Sequence, residues 1–149
     1  MALITAATAV LLMLAIGGSA VLNTMTETTI AASHRDSIQA LYAAEAAIDL
    51  AISRLRTTAD WSTVVPAQGG ATLVQGTMAD LLQVATSDPR MSVMASVFRD
   101  PNGNPDVLIV QAVASGPAGV RRLQVIIRRA PATESATTRS IETLSWRER

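Results

Sequence analysis

The sequence predicts an α+β fold: a long N-terminal α-helix, hydrophobic and then amphipathic, packed on a small antiparallel β-sheet. Three observations predict it. All 24 charged residues, 12 basic and 12 acidic, lie at or after Glu27. No Pro precedes Pro66, and no Gly stands between Gly18 and Gly69. Three β-rich runs, Met91 to Arg99, Val107 to Ser115 and Val120 to Arg129, are separated by turn residues, Asp100-Pro-Asn-Gly-Asn-Pro105 and Gly116-Pro-Ala-Gly119.

The first element is read from Ala2 to Leu22, 21 residues that are apolar or small except for Thr5, Thr8 and Ser19. A bilayer core needs about 20 apolar residues at 1.5 Å rise each, so this stretch is long enough to span. A secretory signal would carry a basic n-region, whereas Met1 leads straight into the apolar run, although Gly18-Ser-Ala20 has the composition of a cleavage site. A soluble core helix is the other alternative, and 21 uninterrupted residues is long for one. A membrane-inserting helix is the reading taken.

Beyond the polar stretch Asn23 to Thr29, the Ala-rich block Ile30 to Arg56 reads as helix again. Its large apolar residues Ile38, Leu41, Ile48, Ile52 and Leu55 recur at helical spacing and form one stripe. Glu45 falls where a heptad expects an apolar residue, and since an unpartnered buried charge is costly, an Arg, a backbone amide or the subunit boundary is expected to meet it. The first 55 or so residues therefore form one nearly continuous helix, roughly 80 Å long at the standard rise. Gly17-Gly18 is its weakest point, since each Gly costs about 1 kcal/mol of helix propensity relative to Ala. The pair fits either small-residue packing between membrane helices or a site where the helix unwinds.

The pattern breaks from Thr57 to Pro66, and Gln68-Gly-Gly70 marks a loop. Ala71 to Gln75 reads as a short strand and Met78 to Ala85 as a helical turn or irregular segment. The three later runs make a meander, in which Leu123, Val125 and Ile127 face one way while Gln124 and Arg128 face the other. Such a sheet has an apolar face too small to stand alone, and the amphipathic helix supplies its cover. Residues 130–139 read as a loose polar linker, and the alternation of Ile141 to Trp146 fits an edge strand. The expected divisions are a hydrophobic helix over 1–26, its amphipathic continuation over 27–56, a sheet domain over 57–130, and a polar linker and tail over 131–149.

Composition narrows the function. With 149 residues, 49% hydrophobic and only 16% charged, a long disordered chain is disfavoured. All 12 basic residues are Arg, and 12 acidic residues cancel them, so nucleic acid binding by bulk charge is disfavoured. There is no Cys, hence no disulfide, thiol nucleophile or thiolate metal site, and one His cannot build a His-rich centre. No nucleophile is placed near His34, which reads as a polar-face residue. Asp100, Asn102, Asn104 and Asp106 alternate like the start of a calcium loop, but Pro101 and Pro105 intrude and no Glu closes it, so a hairpin turn is the better reading. Arg121-Arg122 and Arg128-Arg129 read as solvated strand ends or subunit ion pairs rather than a DNA or lipid patch. A non-enzymatic structural role without cofactor or metal is expected.

The segments Met1-Ala-Leu-Ile-Thr-Ala and Ala40-Leu-Tyr-Ala-Ala-Glu-Ala-Ala-Ile48 resemble those of the type IV pilin and pseudopilin superfamily. Ala43, Ala44, Glu45 and Ala46 look like the Ala-Ala-Glu-Ala-Gly signature of PilX-type minor pilins, and Ser145-Trp-Arg-Glu148 looks like the ends of some of them. The resemblance covers about the first third of the chain. It implies a pilin-like fold and a structural subunit of a pilus-like filament, held in the bacterial inner membrane before assembly and at the cell surface after it. Its partners would be copies of itself, other pilins and the pilus assembly machinery, with no nucleic acid. It further implies processing and N-terminal methylation at Met1, and an assembly helix that includes Thr5, Ala9, Ala15, Gly17 and Gly18. Where the family usually carries Glu, this chain has Thr5. Tip-type pseudopilins also lack that Glu, which keeps a tip or initiating subunit of a secretion system open. The alternative from another class is a single-pass membrane-anchored extracytoplasmic binding module.

The anchor reading is testable directly. Leu12→Arg places a charge mid-helix at about 2.5–3.5 kcal/mol on insertion scales, and is expected to remove the protein from the membrane fraction. Fractionation identical to the parent would refute the membrane helix.

Overall fold

In a computed structural model, the protein is described over residues 1–58, 60–66, 69–77, 80–81, 90–130 and 140–148. Helix α1 spans Ala2–Thr57, and the chain divides into two units, Met1–Arg35 and Asp36–Arg149. The absence of Pro lets α1 run its full length, and Arg54 and Arg56 in its last turn meet the negative end of the helix dipole.

At the end of α1 side chains take up the last carbonyls. The Thr57 and Thr58 hydroxyls donate to the Arg54 carbonyl at 2.8 and 2.9 Å, and Trp61 Nε1 donates to the Leu55 carbonyl at 3.1 Å. These bonds satisfy acceptors that a helix terminus leaves open. Asp60 then caps a 3-10 turn over Trp61–Thr63, accepting from the Ser62 N–H at 2.8 Å.

The second unit holds a five-stranded antiparallel sheet in simple sequence order: β1 (Gly70–Thr77), β2 (Ser92–Arg99), β3 (Val107–Gly116), β4 (Gly119–Arg129) and β5 (Ile141–Glu148). The predicted three-run meander is its centre. The short strand expected over Ala71 to Gln75 is longer, at Gly70–Thr77, and the tail does add an edge strand. Because β5 pairs with β4 from Arg129↔Ile141 to Leu123↔Glu148, the sheet continues past the expected boundary at residue 130. Of the segment Met78 to Ala85, only Asp80 and Leu81 are described, and the expected linker lies outside the described residues from 131 to 139. Gly119, at φ +124°, closes the β3–β4 hairpin, a conformation open to Gly and strained for other residues.

One face of the sheet is the core. Val93, Ala95 and Val97 of β2 stand opposite Ala114, Ala112 and Val110 of β3, while Leu123, Val125 and Ile127 of β4 continue the rows. All are buried, with Ala40, Ala43, Ala44, Ala47, Ile48, Ala51, Ile52 and Leu55 of α1 in the same cluster. The expected stripe needs correction here. Ile38 is exposed and Leu41 half-buried, because the centre of the buried helix face is alanine and the large residues Ile48, Ile52 and Leu55 lie along its side. Apolar periodicity weights large side chains. A sheet face carrying Ala95, Ala112 and Ala114 is best filled by a helix whose small residues let the backbones approach closely.

Two substitutions test this packing in the intact protein. Ile48→Ala is expected to cost about 2–5 kcal/mol through the cavity it leaves. Ala44→Leu is expected to cost about 1–3 kcal/mol by overpacking, although it adds hydrophobicity and helix propensity is nearly unchanged. A denaturation midpoint unmoved by both would place the alanine face outside the core.

Candidate functional site

The feature that sets this chain apart is the apolar first half of α1. Every residue from Met1 to Arg35 is exposed. Leu3, Leu11, Leu14, Ile16 and Leu22 keep about two thirds or more of their surface open, and the helix carries a window of mean hydropathy 2.0 without any burial in its own chain. Large exposed apolar patches mark contact with a membrane or another protein.

Its polar side chains are arranged to suit such surroundings. Thr5 donates to the Ala2 carbonyl at 2.9 Å, Thr8 to the carbonyls of Thr5 and Ile4 at 2.9 and 3.1 Å, and Ser19 to that of Ile16 at 2.8 Å. Farther on, Thr24 and Thr26 donate to Ala20 and Leu22 at 3.0 and 2.9 Å, while Thr28 and Thr29 share the Met25 carbonyl at 2.9 and 2.8 Å. Thus every Ser and Thr hydroxyl before Ser33 closes back on the helix one turn earlier. A hydroxyl satisfied in this way does not need water, which lowers its cost in an apolar medium.

The remaining residues expected at this site fall as follows. Met1 precedes the helix and is fully exposed, its carbonyl accepting from the N–H groups of Ile4 and Thr5. Ala9 and Ala15 are exposed. Gly17 and Gly18 are helical, and a Cβ added at either would meet nothing within 4 Å. The chain's own packing therefore gives no reason for the two glycines. In the other unit, Ala43 and Ala44 are buried under the sheet, while Glu45 and Ala46 are half-buried. Of the three partners expected for Glu45, neither an Arg nor a backbone amide meets it among the described residues, and neither carboxylate oxygen is sealed from solvent, which leaves the subunit boundary. The four motif residues belong to the Asp36–Arg149 unit and the apolar-helix residues to the Met1–Arg35 unit.

The other candidates resolve into structure. Asp100 accepts from Asn102 N and Nδ2 at 3.2 and 3.1 Å, and Asn104 accepts from Asp106 N at 3.0 Å, so the acidic loop folds into consecutive turns on itself. Arg121 pairs with Glu148 at 2.9 Å and Arg128 with Glu142 at 2.7 Å, tying β4 to β5, and Arg121 also donates to Ser37 Oγ. His34 is exposed.

Sequence reasoning missed one cluster. A cavity of about 160 Å³ beside the 3-10 turn is lined by Asp60, Trp61, Arg99, Asp106 and Arg129. Arg99 donates to the Val65 carbonyl through Nε and Nη2 at 3.2 and 2.9 Å, and the Arg129 guanidinium lies 4.2 Å from the centre of the Trp61 ring. Hydrogen bonds from the Ser62 hydroxyl and N–H, with smaller help from Arg129 and Arg99, hold the Asp60 carboxyl below its ordinary range. The Arg99 guanidinium bonded to the Val65 carbonyl and that of Arg129 bonded to the Thr58 carbonyl at 3.3 Å fasten the segment after α1 to the sheet. Asp60-Trp-Ser62 is the one local signal that pointed to it, as a capping sequence.

The sign of the resulting pH dependence follows. A carboxyl whose folded pKa lies below its unfolded value, about 3.9 for Asp, contributes stability in full above that value and loses it as pH falls through the folded pKa. Asp60→Asn is expected to flatten the acid limb of stability below the ordinary Asp pKa, measured as denaturation midpoint against pH. An acid limb identical to the parent's would remove Asp60 from the fastening cluster.

No family model, curated protein or solved structure matches the chain.

Proposed function

We propose that this chain is a structural subunit of a type IV pilus-like extracellular filament, anchored by α1 in the inner membrane before assembly and bundled through the same helix afterwards. One observation carries the reading: an unbroken helix whose first 35 residues are wholly exposed, strongly apolar up to Leu22, and without a free hydroxyl before Ser33. Water is a poor medium for that surface, while lipid or a bundle of like helices suits it.

Two further features favour the bundle over a lone anchor. Ala2, Ala6, Ala7, Ala9, Ala15, Gly17, Gly18 and Ala20 leave room for neighbouring backbones, and nothing in the chain itself uses that room at the glycines. The sheet is also poorly suited to assemble by its edges. Both outer strands take part in register shifts, β1 between Thr72 and Val74 and β5 where β4 passes from Ile126 to Ile127. Bulged edge strands resist pairing with further strands. In a filament, copies of this chain and other pilins would be the partners, with the pilus assembly machinery acting on the membrane pool.

The competing reading is a single-pass anchored binding module. Enlarging small residues separates the two. Ala9→Leu and Ala15→Leu keep hydrophobicity, so membrane insertion should persist. A bundle packed at interior density loses about 1–3 kcal/mol per overpacked site, repeated in every subunit. Electron microscopy of cell-surface material should then reveal few or no filaments while the membrane pool rises. Normal filaments from both variants, or parent protein that never leaves the bilayer, would favour the anchored module.

A further inference from the structure

We propose that Glu27 alone sets how deeply α1 sits in a bilayer, and that the threonine-rich turn around it is a second, hydrocarbon-compatible length of helix. The inference rests on the membrane reading above and concerns the register of the helix within it. The run Ala2 to Leu22 spans about 30 Å, which matches a hydrocarbon core. By composition the next ten residues look polar: Asn23, four threonines and Glu27 among Met25, Ile30, Ala31 and Ala32.

The geometry changes that picture. Thr24, Thr26, Thr28 and Thr29 all direct their hydroxyls onto carbonyls of the preceding turn, so each presents mainly its methyl group outward. Between Ala2 and Ala32 only Asn23 and Glu27 carry polar groups that the helix does not satisfy among the described residues, and only Glu27 is charged. The next uncompensated polar residues are Ser33, His34 and Arg35, all exposed. The hydrocarbon-compatible length without Glu27 is then about 46 Å from Ala2 to Ala32, longer than the bilayer core, and an overlong segment is taken up by deeper insertion or tilt. An ionised carboxylate resists entering hydrocarbon, whereas a self-bonded threonine and a lone amide resist much less. Glu27 therefore holds the segment from Thr28 to Ala32 at or outside the headgroup region. Removing it lets that segment in.

The protein has no Cys, so single cysteines give an unobstructed reading. The full chain is reconstituted in vesicles with Leu12→Cys, Ile30→Cys, Ala31→Cys or Gln39→Cys, and labelled with a membrane-impermeant maleimide. With Glu27 present, position 12 should be protected, and positions 30, 31 and 39 labelled. With Glu27→Leu added, positions 30 and 31 should lose most of their labelling while 39 keeps it, a shift of the boundary by about six residues or roughly 9 Å. Adding Thr28→Asn and Thr29→Asn to Glu27→Leu, which replaces self-bonded hydroxyls with amides, should restore labelling at 30 and 31. Protection of position 30 with Glu27 present, or a boundary unmoved by Glu27→Leu, would overturn the proposal while leaving the membrane helix intact. Free labelling at position 12 would overturn the membrane reading itself, and the depth stop with it.

Discussion

A helix can bury an apolar surface only against something. In α1 the two units solve this differently. From Asp36 onward the sheet covers the helix, and the residues in contact are mostly alanine, so the cover lies close. From Met1 to Arg35 every residue is exposed. The backbone of that exposed half is held by helical hydrogen bonds, and every hydroxyl before Ser33 by the carbonyls beneath it. Only the apolar side chains are left without a suitable medium, which is the condition met by a bilayer or by other helices.

The sheet serves this arrangement by being complete on one side and guarded at its edges. Its core face is a continuous layer of Val, Ala, Leu and Ile across β2, β3 and β4. Strand β5 contributes less burial. It is held by backbone pairing and by the exposed Arg121–Glu148 and Arg128–Glu142 pairs, each of the kind that contributes about 0.2–1 kcal/mol. At the end of α1, Trp61 seals the core and gathers Arg129, with Arg99 binding the Val65 carbonyl beside it. These fastenings account for the charged residues near the turn without any need for a ligand.

Such a division would suit the proposed passage from membrane to filament. The covered half of the helix and the sheet keep their packing whatever the medium, since their core is closed. In the proposed filament the open half would exchange lipid for neighbouring helices, with its small residues favouring the closer packing.

Much of this was legible in the residues themselves. The position of the first charge at Glu27, the absence of Pro before Pro66 and the turn residues around the three later runs are local signals, and helix, meander and their order follow from them. The alternation of Ile141 to Trp146 announced β5, whose pairing along β4 only the fold supplied. What sequence could not decide was distance. Whether Ile38 or Ala44 faces the core depends on how near the sheet lies, which is set by side-chain volumes on strands far along the chain. Whether Thr24 to Thr29 are polar to their surroundings depends on rotamers, because the same hydroxyl can point at water or at its own helix. The joining of Asp60, Arg99 and Arg129 beside Trp61 likewise brings together three distant positions. Composition and periodicity determined the elements and the need for an apolar partner, since both act within a turn or two of chain; tertiary packing decided which residues touch, since contact depends on volumes and distances that no single segment contains.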